Sequence, residues 1–227
     1  MKKNTEELEE MIGYKFRDTD YLITALTHSS YSNEMKINVC HDYERQEFLG
    51  DAVLELISSD YLYHEHPDMP EGDLTRLRAS MVCEPALAHC ARMFGLEDYI
   101  RLGRGEEATG GREKDSIISD VLEAVIGGIY LDSGIEEATS FVHRFIMNHE
   151  AESVTYYDAK SKLQQIVQSR GKVVTYELIE EAGPDHAKVF TVACVISGNE
   201  VSRGQGRTKK AAQQAAAGEA LRSGKCI

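Results

Sequence analysis

The strongest constraint on what this chain can fold into is a change of pattern near residue 150. Before that point, apolar residues recur at three- and four-residue spacing. The segments Thr5–Met11, Asp18–Thr27, Tyr43–Tyr63, Gly72–Val82, Pro85–Phe94, Lys114–Leu131 and Ile135–Met147 are therefore expected to be helices. Gly13, Pro67, Pro70, Gly95, the glycine group from Gly103 to Gly111, and Gly134 separate them. After that point the pattern becomes helix (Lys160–Arg170), strand (Val173–Glu180), strand (Lys188–Ser197), strand (Glu200–Gln205) and helix (Thr208–Ser223). An α-β-β-β-α order with short links implies an antiparallel sheet with both helices on one face. The fold expected is an all-α domain over 1–149, a hydrophilic linker over 150–157, and a small α+β domain over 158–227.

Charge divides at the same place. Residues 1–150 carry 14 Lys+Arg against 30 Asp+Glu, a net of −16, and residues 151–227 carry 11 against 8, a net of +3. The whole-chain value of −13 would by itself argue against a polyanionic partner, but the two parts argue differently. No apolar run approaches the ~20 residues of a membrane span, and the acidic start is not a signal peptide, so no membrane role is expected. Five cysteines without a CxxC pair do not make a disulfide framework, which favours a reducing, cytoplasmic setting.

Two helices carry acids where a core helix would not. At about 100° per residue, Glu44, Glu47, Asp51 and Glu55 share a stripe roughly 80° wide, and Leu49, Val53, Leu56 and Ile57 form the face expected to be buried. In the second helix Asp120 and Glu123 are three apart, with Ala124 and Gly127 on their stripe. Val121, Leu122, Val125, Ile126 and Ile129 cover the remainder. Like charges at these spacings repel by a few tenths of a kcal/mol per pair, more when partly buried. A bound cation is one reason to keep them, and carboxylate oxygens suit Mg²⁺ or Mn²⁺ rather than zinc. An ordinary solvated acidic face accounts for the spacing equally well.

The run Glu44-Arg45-Gln46-Glu47-Phe48-Leu49-Gly50-Asp51-Ala52-Val53-Leu54 closely resembles the signature helix of the ribonuclease III family. Ala25 to Tyr31 (ALTHSSY), Glu71 to Arg78 (EGDLTRLR) and Asp120 to Gly127 (DVLEAVIG) match further family motifs in order. Gly204 to Ala212 resembles the end of a double-stranded-RNA-binding domain. The resemblance spans nearly the whole chain and is to the bacterial type, with one nuclease domain and one binding domain. It implies a Mg²⁺-dependent endonuclease (Mn²⁺ a plausible substitute) that acts on double-stranded RNA, as in ribosomal and messenger RNA processing. A homodimer would cut both strands and leave short 3′ overhangs. By the same resemblance, Glu47, Asp51, Asp120 and Glu123 are metal ligands, with Asp51 and Glu123 catalytic. Glu44 and Glu71 are supporting acids of the cleavage valley, and Phe48 is a dimer contact. Ser161, Gln164, Gln168 and His186 would contact RNA.

Some positions have simpler explanations or depart from the family. Glu71 opens a helix after Pro70, where an acid is favourable to the dipole by ~0.3–1 kcal/mol. Glu55 matches no catalytic position and is expected to be a solvated acid. Gln46 stands where the family usually has Leu and falls on the apolar face, so it needs a hydrogen-bond partner, since an unpaired buried amide costs ~1–3 kcal/mol. Ala52 replaces the usual Ser. Arg207, Lys209 and Lys210 gather at a helix start, where cations oppose the dipole, and an RNA phosphate there would explain them. A structured-RNA-binding protein that does not cut, or a nuclease-like scaffold for another protein, would share much of this pattern. Intact acids at the matched positions favour the enzyme.

Overall fold

The computed structural model describes residues 4–36, 41–149, 159–183, 188–206 and 208–224. Its contacts divide the chain into two compact units, Met1–Glu150 and Ala151–Ile227. The expected linker over 150–157 lies outside the described residues.

The first unit is helical: α1 (Thr5–Ile12), α2 (Thr19–Ala25), α3 (Ser29–Met35), α4 (Glu44–Glu65), α5 (Glu71–Met81), α6 (Glu84–Arg92), α7 (Arg104–Ala108), α8 (Asp115–Ser133) and α9 (Ile135–Phe145), with short 3₁₀ turns between some of them. Helix α8 is apolar nearly all round and is the core of this unit. Helices α2, α4, α6 and α9 all pack on it. The closest crossing is with α4. A Cβ at Gly50 would collide with the Glu123 carbonyl, and one at Gly127 with the Gln46 carbonyl. Glycine at these two positions lets the backbones touch, which brings the acids of α4 and α8 to one place.

The contact with α8 sets which face of α4 is buried. Gln46, Gly50, Val53, Leu54 and Ile57 are buried, and Leu49 is half-buried. Leu56, expected to be buried, is 61% exposed, because the crossing at Gly50 lies a third of a turn away from it. Gln46 does find partners: its Nε2 donates to the Tyr21 carbonyl at 3.2 Å and the Ala124 carbonyl at 3.5 Å. Two short helices were absent from the periodicity reading. Helix α3 starts at His28, whose Nδ1 accepts from the Ser30 N–H at 3.1 Å. Helix α7 lies inside the glycine group read as a break, and ion pairs between Arg104 and Glu34 and between Lys114 and Glu106 tie this region down.

In the second unit, α10 (Ala159–Ser169) precedes β1 (Val174–Ala182), β2 (Val189–Ile196) and β3 (Asn199–Gly206), and α11 (Lys209–Arg222) ends it. The antiparallel sheet has the order β1-β2-β3, with Tyr176 opposite Cys194 and Cys194 opposite Ser202. Ser197 and Gly198 both take positive φ in the tight turn between β2 and β3, as a two-residue hairpin requires. Ala159, Leu163 and Val167 of α10 share a core with Ala216, Ala217 and Ala220 of α11. Cys194 and Ile196, alternate residues of β2, complete it, so both helices cover one face of the sheet. Helix α11 lies directly on β3, where a Cβ at Gly204 or Gly206 would collide with its backbone.

The α4–α8 crossing gives a first prediction. Gly127→Ala forces the two helices apart and destabilises the nuclease unit by about 1–3 kcal/mol. Thermal unfolding of that unit should drop by several degrees, whereas Ala124→Gly, on the same helix, should leave the crossing intact and cost about 1 kcal/mol.

Candidate metal centre and nucleic-acid interface

At the crossing, Glu47, Asp120 and Glu123 each offer a carboxylate oxygen, and these three atoms lie within 4.8 Å of one another. All three side chains are half-buried. Asp51, one turn along α4 from Glu47, is exposed and outside this tight group, but its charge raises the pKa of both Glu47 and Glu123. Burial, then the neighbouring acids Asp120, Glu44 and Asp51, pushes Glu47 up to about 7. Burial, then Asp51, Asp120, Glu47 and Glu55, pushes Glu123 up to about 8. Asp120 is also raised, mainly by burial, against the lowering effect of a hydrogen bond from Tyr43.

Several acids elsewhere in the unit have cationic partners: Glu34 with Arg104, Glu55 with Arg78, Glu106 with Lys114, Glu107 with Arg112 and Asp115 with Arg92. Among the described residues, none of Glu47, Asp51, Asp120 and Glu123 has a Lys or Arg at ion-pair distance. An all-oxygen donor set with uncompensated charge fits a hard divalent cation.

Glu44 is exposed and acts on Glu47 through its charge alone. Glu71 does not join this group. It opens α5 and accepts a hydrogen bond from the Thr75 hydroxyl at 3.1 Å, as the helix-start explanation expects. Glu55 is not the solvated acid expected, since Arg78 Nη1 lies 3.2 Å from its Oε2. Phe48 is 81% exposed, and Leu56 and Tyr63 continue its stripe along the outer side of α4 at 61% and 70%.

Tyr43 was overlooked by sequence reasoning. Its ring is buried against His28, with centroids 5.6 Å apart, and its hydroxyl donates to Asp120 Oδ2 at 3.4 Å. Ser119 Oγ, 3.5 Å from Asp120 Oδ1, contacts the other carboxylate oxygen. Extending the helical wheel one residue before Glu44 puts Tyr43 beside Glu47, so the signal was available for the tyrosine. His28 lay in a recognised motif without a role.

In the second unit, Ser161, Gln164 and Gln168 are exposed on one stripe of α10. Lys160 orients that helix, because its backbone N–H donates to Gln214 Oε1 at 2.9 Å and its Nζ to Gln213 Oε1 at 2.7 Å. Thr208 caps α11 by accepting from the Ala211 N–H at 3.1 Å, and Lys209 and Lys210 are exposed in the first turn. Lys209 Nζ lies 5.8 Å from the centroid of the Phe190 ring. His186 and Arg207 lie outside the described residues.

The raised acids set a pH dependence. A folded-state pKa of about 7 or 8 against an ordinary 4.5 means the folded protein holds protons that the unfolded chain has released. Unfolding is then increasingly favoured as pH rises from about 4.5 to 8. Glu123→Gln removes one such group. In chelator, its melting temperature relative to the parent should therefore rise by a few degrees between pH 5 and pH 8. A gap that stays flat with pH would show that Glu123 titrates normally.

A model of ribonuclease-III-like domains matches residues 18–150, and one of the double-stranded RNA binding motif matches residues 159–223. Ribonuclease 3 of Listeria welshimeri is 45% identical over 215 residues, covering 93% of this chain and 94% of its own. Ribonuclease 3 of Caldanaerobacter subterraneus is 46% identical over 219 residues, covering 94% and 95%. Among solved structures, the nuclease domain of ribonuclease III from Campylobacter jejuni, with structural flexibility in a region involved in dimer formation, superposes at a TM-score of 0.59 with 44% identity. It covers 64% of this chain and 97% of that one. No helix among the described residues is long and apolar enough to cross a membrane. With both domains matched, in the order nuclease then binding motif, the chain belongs to the ribonuclease III family of endoribonucleases.

Proposed function

We propose that this chain is a Mg²⁺-dependent endonuclease, with Mn²⁺ as a substitute, that hydrolyses both strands of double-stranded RNA as a homodimer and leaves short 3′ overhangs. The observation that carries the reading is the cluster of Glu47, Asp120 and Glu123 at a glycine-lined helix crossing, in a chain that also has a double-stranded-RNA-binding motif. Glu47, Asp51, Asp120 and Glu123 hold the cation. When bound, it supplies a Lewis acid that activates water and stabilises the leaving oxygen. Tyr43 and Ser119 hold the Asp120 carboxylate in orientation, and Glu44 adds negative field at the rim. Glu123, the most strongly perturbed of the acids, is with Asp51 the residue on which cleavage depends most.

The homodimer reading is supported by the exposed apolar stripe of Phe48, Leu56 and Tyr63, and by the dimer-forming region named for the Campylobacter jejuni nuclease domain. Glu71 stands outside its own chain's acid group, and in this reading it lines the cleavage valley as a supporting acid. In the binding domain, spanning 158–227 after a linker over 150–157, Ser161, Gln164 and Gln168 reach one minor groove of the duplex and His186 the next. Arg207, Lys209 and Lys210 take the phosphates between them. The nuclease domain covers 1–149. The setting we assign is the cytoplasm, with ribosomal and messenger RNA precursors as substrates.

Glu123→Gln should lower cleavage of long duplex RNA in Mg²⁺ by about 10³-fold, the several kcal/mol a metal-held charge supplies at 1.36 kcal/mol per decade, while gel-shift binding of the same duplex persists. Duplex left uncut by the parent in both Mg²⁺ and Mn²⁺ would instead favour a binding protein. Lys209→Ala/Lys210→Ala should weaken duplex binding and reduce the slope of log affinity against log salt by up to about two, and an unchanged slope would remove these lysines from the phosphate contacts.

A further inference from the structure

The acidic stripe of α4 continues one turn past Asp51 to Glu55, and there its chemistry changes. Helix α5 brings Arg78 against it: Arg78 Nη1 lies 3.2 Å from Glu55 Oε2 and donates to Ser59 Oγ at 2.7 Å. Ser59 in turn donates to the Glu55 carbonyl at 2.5 Å, so both contacts of the guanidinium lie within one turn of α4. Leu74, Leu77 and Met81 dock α5 on the core of the unit, which fixes where Arg78 emerges. Its side chain is 30% exposed and that of Glu55 45%, so the pair sits at the edge of the acid group rather than in bulk solvent. Glu55 is close enough for its charge to act on Glu123.

We propose that Arg78 is a positioning residue that pins Glu55 out of the metal centre, leaving Glu47, Asp51, Asp120 and Glu123 to share the cation. This rests on the metal-centre reading above. Glu55 follows Asp51 by four residues on the same helix stripe and has a flexible side chain, so without Arg78 it is a fifth oxygen ligand in waiting. Mg²⁺ keeps a near-octahedral shell and needs some of its positions for water and phosphate. An extra carboxylate takes one of those positions and draws the ion along α4, away from Glu47. Loss of Arg78 therefore strengthens binding of the ion while weakening its use.

That opposition of signs is the test. Mn²⁺ binding to the full chain is measured by calorimetry without RNA, and duplex RNA cleavage is measured in parallel. Arg78→Ala should bind Mn²⁺ about two- to fivefold more tightly, the size of one partly exposed charge interaction, and cleave about tenfold more slowly. Arg78→Ala/Glu55→Gln should return both measurements towards the parent. Glu55→Gln alone should leave both within about twofold, which keeps the proposal exposed to refutation even where Arg78→Ala does not fold. Weaker Mn²⁺ binding in folded Arg78→Ala, a double variant no better than the single, or loss of cleavage in Glu55→Gln would each overturn the proposal. Glu123→Gln separates this from failure of the underlying reading: parental Mn²⁺ binding in that variant would remove the metal centre itself.

Discussion

Everything at the candidate centre depends on two helix backbones touching. Packed helices ordinarily keep their axes about 8–10 Å apart, held at that spacing by the side chains at the contact. Gly50 and Gly127 remove that spacing, since neither position has room for a methyl group. The resulting cluster is electrostatically unfavourable, as the elevation of Glu47 and Glu123 records. Packing wins the competition. Helix α8 buries Ile118, Val121, Leu122, Val125, Ile126 and Ile129 almost completely, each worth about 1.5–3 kcal/mol, whereas repulsion between partly screened acids costs a fraction of that per pair. The core holds together groups that would otherwise separate, which is how a protein preorganises a site for an ion.

The second unit uses the same device for a different end. Gly204 and Gly206 let the alanine-rich α11 lie directly on β3, and Ser202 donates its hydroxyl to the Ala216 carbonyl at 2.6 Å. Small residues leave α11 little apolar side chain to bury, so its position comes from close backbone approach. Its first turn is left outward, with its N–H groups, Lys209 and Lys210 together. Cations at that end oppose the helix dipole, and they cost stability unless an anion joins them.

Where spacing along one element decides the outcome, the sequence was readable. The long helices, the three strands and the separate acidic stripes of α4 and α8 follow from period, whereas the grouping of Glu47 with Asp120 and Glu123 across two helices was implied only by the family resemblance. Where contact between elements decides, it was not. Leu56 sits on an apolar-looking arc but is exposed, because Gly50, which presents no side chain at all, marks the face that α8 covers. Gln46 looked misplaced until Tyr21 and Ala124 supplied carbonyls from two other helices. The Glu55–Arg78 pair joins residues 23 positions apart, and no local pattern announces it. Helix α3 is mostly polar and α7 is only five residues long, so neither shows an apolar period, and caps and ion pairs hold them instead.

The net charge of −13 acquires a meaning once it is divided. Acids at the α4–α8 crossing repel phosphate as they attract a cation, so under the proposed function an ion would have to be in place before RNA enters there. The outward lysines of α11 carry no such requirement. If the proposed function holds, binding a duplex and cutting it are separable by charge: one unit would meet phosphate directly, the other only through a divalent ion. On that proposal, an excess of acid in the nuclease unit is a form of selectivity, since a polyanion would be admitted to the acid group only in the company of a divalent cation.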